Sequence, residues 1–219
     1  MDRAYLEIIF LCGVVLQVIF HVYYIQHYLS ETHRNYFNKK ERLFLIFISV
    51  GFHLLPLVYV FSTWFSFFDY NLPKWLGFPS VSLYCFGVWL FFRAYSDLGS
   101  NWSPGLEIKE GHKLVTSGIF KWVRHPMYAA FGAIAIAQVL MLQNWIVGPA
   151  FLLLSIPFYR QRVHREELHL IRHFGDEYRE YMTQTNALFP KQEQIDFSLV
   201  VDKLNLLVKK IRFSKTKKG

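Results

Sequence analysis

Long apolar stretches separated by short polar ones dominate the chain. Tyr5–Tyr24 carries one acid, Glu7, and one basic ring, His21. Leu43–Phe68 contains no Asp, Glu, Lys or Arg, and Trp75–Phe92 is charge-free between Lys74 and Arg93. Apolar runs of about 18 residues or more with few charges predict membrane-spanning helices. Two further segments, Met127–Leu142 and Trp145–Tyr159, are shorter. Each covers about 24 Å as a helix, short of a ~30 Å hydrocarbon core unless flanking residues contribute. Gln143–Asn144 between them predicts a tight polar turn and hence an antiparallel helical hairpin, with Pro149 and Pro157 kinking its second helix. The pattern thus predicts an all-α integral membrane protein with about five transmembrane helices including that hairpin.

The polar segments have their own periodicity. Leu98–Arg124 is punctuated by Gly99, Gly105, Gly111 and Gly118 and reads as a long loop. Arg160–Gln184 repeats apolar residues at helical spacing (Leu168, Ile171, Phe174, Tyr178, Tyr181), and Gly175 is placed to end or bend that helix. Phe197, Val200, Val201, Leu204, Leu207, Val208 and Ile211 form a stripe with lysines opposite, the pattern of a helix lying flat at a membrane surface. Three regions follow: N-terminal transmembrane helices over 1–97, a core over 98–190, and a basic amphipathic tail over 191–219.

Charge distribution sharpens the topology. The 219-residue chain is 53% hydrophobic and carries a formal charge of +8, which by itself would admit a nucleic-acid partner. Its placement argues otherwise. Arg34, Lys39, Lys40 and Arg42 fill the first loop, Lys109, Lys113, Lys121 and Arg124 the third, and seven lysines and arginines the tail, whereas Asp69–Lys74 has one lysine and Gln143–Asn144 none. Basic residues on alternate sides follow the positive-inside rule, with the N-terminus outside and loops and tail cytoplasmic. Five helices satisfy this bias and an even number does not. The basic surface then faces anionic lipid rather than nucleic acid. Asp2, Arg3 and Glu7 give no positive n-region and no small-residue cleavage site follows, so the first apolar stretch is expected to be retained. Cys12 and Cys85 fall within spans as small apolar fillers, implying neither disulfide framework nor zinc site.

Three groups of residues could carry chemistry. In Arg124-His125-Pro126-Met127-Tyr128, arginine and tyrosine suit an interfacial anchor and proline a first helical turn, which leaves His125 unexplained. Arg162 and Glu166, four apart, share a helix face and could be a simple surface pair. A hairpin, however, returns its second helix to the side where the first began, so they should sit on the same membrane face as Arg124 and His125. The third group contains Glu166-x-x-His169 and His169-x-x-x-His173. A di-iron site would need a second E-x-x-H and two more glutamates, and the chain has no His-His pair, so solvated histidines account for these better than a metal does. No G-x-G, Walker lysine or G-x-S-x-G occurs, which removes support for dinucleotide, nucleotide-phosphate and serine-hydrolase sites.

The stretch Gly111-His112-Lys113-Leu114-Val115-Thr116-Ser117-Gly118-Ile119-Phe120, running on into Arg124–Tyr128, resembles the isoprenylcysteine carboxyl methyltransferase family. So do Arg162–Leu168, Phe174-Gly175-Asp176-Glu177-Tyr178-Arg179-Glu180-Tyr181 and Phe189-Pro190, so that the likeness covers about residues 98–190. The resemblance implies an integral membrane methyltransferase that uses S-adenosylmethionine and acts on the C-terminal carboxylate of a prenylated cysteine entering from the bilayer. It implies a cytoplasmic cofactor-binding loop, with cofactor contacts at His112, Lys113, Leu114, Val115, Phe120, His125, Pro126, Met127, Tyr128 and Glu166. Arg162 would face the substrate, with Arg162 and Glu166 as the catalytic pair and no metal. Phe120 stands where the family commonly has tyrosine, so stacking survives and a hydroxyl contact does not. The alternatives keep the cofactor but change the acceptor to a phospholipid amine or small lipophilic thiol, or make the chain a non-catalytic scaffold. A metal-dependent oxidoreductase ranks behind these. The family implies the endoplasmic reticulum in a eukaryotic host, or the inner membrane in a bacterial one, and Lys215-Thr216-Lys217-Lys218-Gly219 resembles a dilysine retrieval tail.

Overall fold

A computed structural model describes residues 1–28, 39–102 and 113–191. Among these residues the chain is helical, and extended pairing is limited to two isolated bridges. The helices are α1 (Arg3–Tyr28), α2 (Lys39–Ser49), α3 (Leu55–Phe61), α4 (Gly77–Leu98), α5 (Pro126–Leu142), α6 (Val147–Phe174) and α7 (Asp176–Gln184). The amphipathic stripe and retrieval-like tail expected beyond residue 191, together with His112, lie outside the described residues.

Two helices, Arg3–Tyr24 and Lys74–Asn101, are long and apolar enough to cross a membrane, and Leu45–Phe61 and Pro126–Leu142 are shorter apolar helices. Polarity is distributed inside out. Ile8, Val15, Leu16, Ile19, Phe78, Phe86 and Trp89 face outward, while Gln17, Ser80 and Gln138 are buried. An apolar exterior of this extent suits lipid rather than water. Cys12 and Cys85, expected within spans as small apolar fillers, lie on α1 and α4 and face outward from them.

Close packing of small residues builds the centre. A Cβ at Gly87 of α4 would meet Ile134 Cγ1 at 2.7 Å and the Ala130 carbonyl at 3.1 Å, so α4 and α5 approach more closely there than a side chain would permit. Around this contact Leu6, Phe10, Phe52, Tyr84, Met141 and Phe151 form one buried cluster, and Tyr24, Leu90, Phe91, Tyr95, Trp102 and Ala130 another.

The second apolar run is interrupted rather than continuous. A single π turn, Val50–Leu54, joins α2 to α3, and the Leu55 amide bonds back to the Val50 carbonyl. Pro56 follows, with no N–H to extend the ordinary ladder. This register leaves the Gly51 carbonyl to the Gln138 side chain of α5, whose Nε2 donates to Gly51 O at 3.1 Å and Val147 O at 2.8 Å. The helix was expected to run to Phe68 but stops at Phe61. Ser62 is extended and its hydroxyl returns to the Val58 carbonyl at 2.6 Å, after which Ser66–Phe68 form a short 3-10 turn.

The hairpin turn at Gln143–Asn144 forms, with Gln143 in the left-handed region at φ 45°. Pro149 falls in the first turn of α6, where a missing N–H leaves no helical bond unmade. Pro157 lies inside α6, which continues past it without a break at Tyr159 to Phe174. The apolar and charged segments, read separately from the sequence, are therefore one helix of 28 residues. Its charged half carries Arg162, Glu166 and Glu167 beyond the apolar part. Gly175, at φ 58°, ends it and α7 begins at once.

Candidate active site

The start of α5 and the charged half of α6 converge, and the segment after α7 holds them in register. Backbone amides of Arg124 and His125 donate to the carbonyls of Asn186 (3.0 Å) and Ala187 (2.9 Å), beside a parallel bridge between Val123 and Asn186. His125 is thereby fixed just before Pro126 opens α5. One turn later Tyr128 stacks against the His125 ring, with centroids 5.7 Å apart.

Charges alternate across this junction. Glu166 Oε1 accepts the Tyr128 hydroxyl at 2.5 Å and Arg162 Nε at 2.9 Å, and its Oε2 lies 3.5 Å from His125 Nδ1. On the other side of the ring, His125 Nε2 is 3.3 Å from Glu167 Oε1. That oxygen also accepts Arg124 Nε at 2.9 Å and Nη2 at 2.7 Å. The remaining Arg124 nitrogen donates to the Thr185 carbonyl and, at 3.4 Å, to that of Met182. Arg124 is therefore no lipid-interface anchor. Its side chain is 9% exposed and ties the α5 start to α6 and to the end of α7. With arginine on both flanks, the carboxylates form a hydrogen-bonded series rather than a ligand set open to an ion, and no metal-holding group gathers among the described residues.

Protonation follows this geometry. Burial pushes the Glu166 carboxyl up, but His125, Arg162 and Tyr128 more than offset it and hold the group below the ordinary glutamate value. The hydrogen bond from His125, against the cost of burial and aided by Arg124, takes Glu167 down to about 2. Burial disfavours charge on His125, yet its bonds to Glu166 and Glu167 outweigh that and raise its pKa. Both carboxylates are therefore ionised at neutral pH.

The other residues expected at the site are distributed around this centre. Pro126 is buried at the first position of α5. Met127 packs against the Tyr24–Leu90–Tyr95–Trp102 cluster. Phe120 is buried in the 3-10 turn Gly118–Lys121, its carbonyl accepting the Tyr181 hydroxyl at 2.5 Å. Lys113 is exposed, with its amide on Asn101 Oδ1 at 3.2 Å, and Leu114 and Val115 are half-buried. Asp97 and Glu167 were not singled out, although each carries a local signal. Asp97 stands four residues after Arg93, and Glu167 is the second of two adjacent glutamates.

Asp97 shapes the loop. Its Oδ2 accepts the Ile119 amide at 2.8 Å, and Gly118 sits against it at φ 60°, where an added Cβ would lie 2.3 Å from the carboxylate. Gly118→Ala is therefore expected to destabilise the fold by about 2 kcal/mol or more, from left-handed backbone strain plus the clash. Thermal unfolding in detergent checks this, and an unchanged midpoint would show that the turn tolerates a side chain.

The isoprenylcysteine carboxyl methyltransferase (ICMT) family model matches residues 80–172, a span that begins earlier than the motifs at 98–190 and takes in α4. A protein-S-isoprenylcysteine O-methyltransferase of Homo sapiens is 34% identical over 146 residues, covering 62% of this chain and 51% of its own length. The Schizosaccharomyces pombe protein of that name is 32% identical over 113 residues, covering 51% and 48%. The chain thus spans about half the length of these curated relatives. A solved structure of the eukaryotic intramembrane Ras methyltransferase ICMT shares the fold at 24% identity and a TM-score of 0.50, over 70% of this chain and 54% of that one. From within α4, through the hairpin and almost to the end of α6, residues 80–172 of this chain are similar to the isoprenylcysteine carboxyl methyltransferase family.

Proposed function

We propose that this chain is an S-adenosylmethionine-dependent methyltransferase acting on the C-terminal carboxylate of a prenylated cysteine. The observation that carries the proposal is the convergence of His125, Tyr128, Arg162 and Glu166 where apolar helices give way to the charged half of α6. In this reading α1, the α2–α3 pair, α4, α5 and the apolar part of α6 make five passes. The N-terminus is outside and the site faces the cytoplasm, of the endoplasmic reticulum in a eukaryotic host. The core is residues 98–190, between the N-terminal helices and a basic tail resting on anionic lipid.

The donor set fits the cofactor. Among the described residues Glu166 Oε2 carries only the long contact to His125, and the side chain is 20% exposed, so an anionic oxygen stays available to an ammonium group. His125 to Tyr128, Phe120 and the Lys113–Val115 segment, with His112, supply the remaining contacts. When bound, S-adenosylmethionine supplies an electrophilic methyl group on a sulfonium sulfur. Arg162 receives the acceptor carboxylate in fork geometry and orients one of its oxygens. The acceptor is already anionic at neutral pH, so no residue has to remove a proton, and position and electrostatics are the protein's contribution. Lipid reaches the helical side of this site and water its charged side, which suits a substrate with a prenyl chain and a carboxylate.

Purified protein incubated with labelled S-adenosylmethionine and a farnesylcysteine analogue is expected to form a base-labile methyl ester. Label moving only to a phospholipid amine or small thiol would replace the acceptor, and absence of cofactor binding by calorimetry would leave a scaffold. Glu166→Ala is expected to weaken cofactor binding about tenfold or more, from loss of a charge-assisted hydrogen bond.

A further inference from the structure

We propose that Glu167 is a positioning residue which, backed by Arg124, holds the His125 ring between two carboxylates and so fixes the geometry in which Glu166 is presented. This deepens the reading of the site as a cofactor pocket and rests on it. The order in space is Arg124, Glu167, His125, Glu166, Arg162, with opposite charges adjacent throughout. Both ring nitrogens of His125 face carboxylate oxygens, at 3.3 and 3.5 Å. A neutral imidazole has one N–H and would turn a lone pair towards one of them, whereas imidazolium satisfies both.

Glu167 is set for this role rather than for contact with a ligand. Its Oε1 serves Arg124 twice and His125 once. Arg124 cannot swing away, because the end of α7 takes its third nitrogen and the Asn186 carbonyl its backbone amide. The groups facing His125 come from three elements. Arg124 belongs to its own loop, Tyr128 to α5, and Arg162, Glu166 and Glu167 to α6, while Tyr178 of α7 lies buried beside Arg124 and Glu167. Glu166 is held by Tyr128 and Arg162 on one oxygen, so His125 is what orients the other.

Glu167→Gln separates charge from shape. The amide oxygen still accepts from Arg124, so the clamp between α5, α6 and α7 persists, but the negative charge that retains the His125 proton is lost. The test is an NMR titration of full-length, histidine-labelled protein in detergent, with His125 identified among nine histidines by His125→Gln. Wild type is expected to titrate above the ordinary histidine value. Glu167→Gln is expected to lower that midpoint by about one unit or more and to weaken S-adenosylmethionine binding about tenfold by calorimetry. Glu167→Asp should keep the raised midpoint. A wild-type midpoint at or below the ordinary value, or one that Glu167→Gln leaves in place, overturns the proposal. So does a shifted midpoint with undiminished cofactor affinity. Wild-type protein that binds no cofactor overturns the functional reading instead, and the titration still decides whether Glu167 holds His125.

Discussion

Arg162→Ala is expected to lower kcat/KM for the prenylcysteine acceptor by about 100-fold or more while S-adenosylmethionine still binds. The magnitude follows from removing a preorganised charged donor whose side chain is largely buried. Arg162 is well placed to matter, since its side chain is 8% exposed and lies one helical turn from Glu166 on the same face of α6. Cofactor binding should survive because Glu166 keeps the Tyr128 hydroxyl on Oε1, and Oε2 still faces His125. Arg162→Lys restores charge without the planar fork and should recover activity only in part. Turnover and equilibrium binding on the same preparation decide the matter. Wild-type turnover in Arg162→Ala would remove the substrate role. Loss of both readouts would mean that Arg162 chiefly supports Glu166.

The second large effect is on stability, at the opposite end of the hairpin. Asn144→Ala is expected to destabilise the protein by about 3 kcal/mol, because several buried polar groups lose partners at once. Asn144 is fully buried. Its Nδ2 donates to the Phe65 carbonyl and to Asp69 Oδ1, both at 2.8 Å, and its Oδ1 accepts the amides of Ile146 and Val147, both at 3.0 Å. Asp69 in turn holds the Tyr59 hydroxyl at 3.0 Å and Arg3 at 2.8 Å, so one asparagine links the hairpin turn to α1 and α3. Thermal unfolding in detergent should show the loss, with cofactor affinity in the surviving folded fraction unchanged. An unshifted midpoint would mean that water replaces these bonds without net cost.

Periodicity and motif content exposed different parts of this molecule. The apolar runs located α1, α4 and α5, and Gly175 marked the end of α6, because each signal is local to the residues that carry it. The break at Val50–Leu54 was not legible, since the register that Pro56 accompanies also depends on Gln138, 87 residues beyond Gly51, taking up the freed carbonyl. The unbroken α6 was missed because hydropathy changes at Tyr159 while helix formation does not. Around the site, Arg162 and Glu166 were readable from their spacing on one face. Arg124 looked like an anchor because its partners, Glu167 and the Thr185 carbonyl, lie 43 and 61 residues away.

The sequence by itself determined that the chain is apolar and helical, that a polar turn folds residues 127–159 into a hairpin, and that Arg162 and Glu166 fall on the same membrane face as Arg124 and His125. These follow from helical spacing, hydropathy and the return path of an antiparallel pair, all of which are local. Only the tertiary structure decided the order of charges, Arg124–Glu167–His125–Glu166–Arg162, and the closure of that series by the segment after α7. Which of two adjacent glutamates meets which nitrogen of a ring depends on the rotation of α6 against the start of α5. That rotation is set by packing across the whole hairpin, and no short stretch of sequence encodes it.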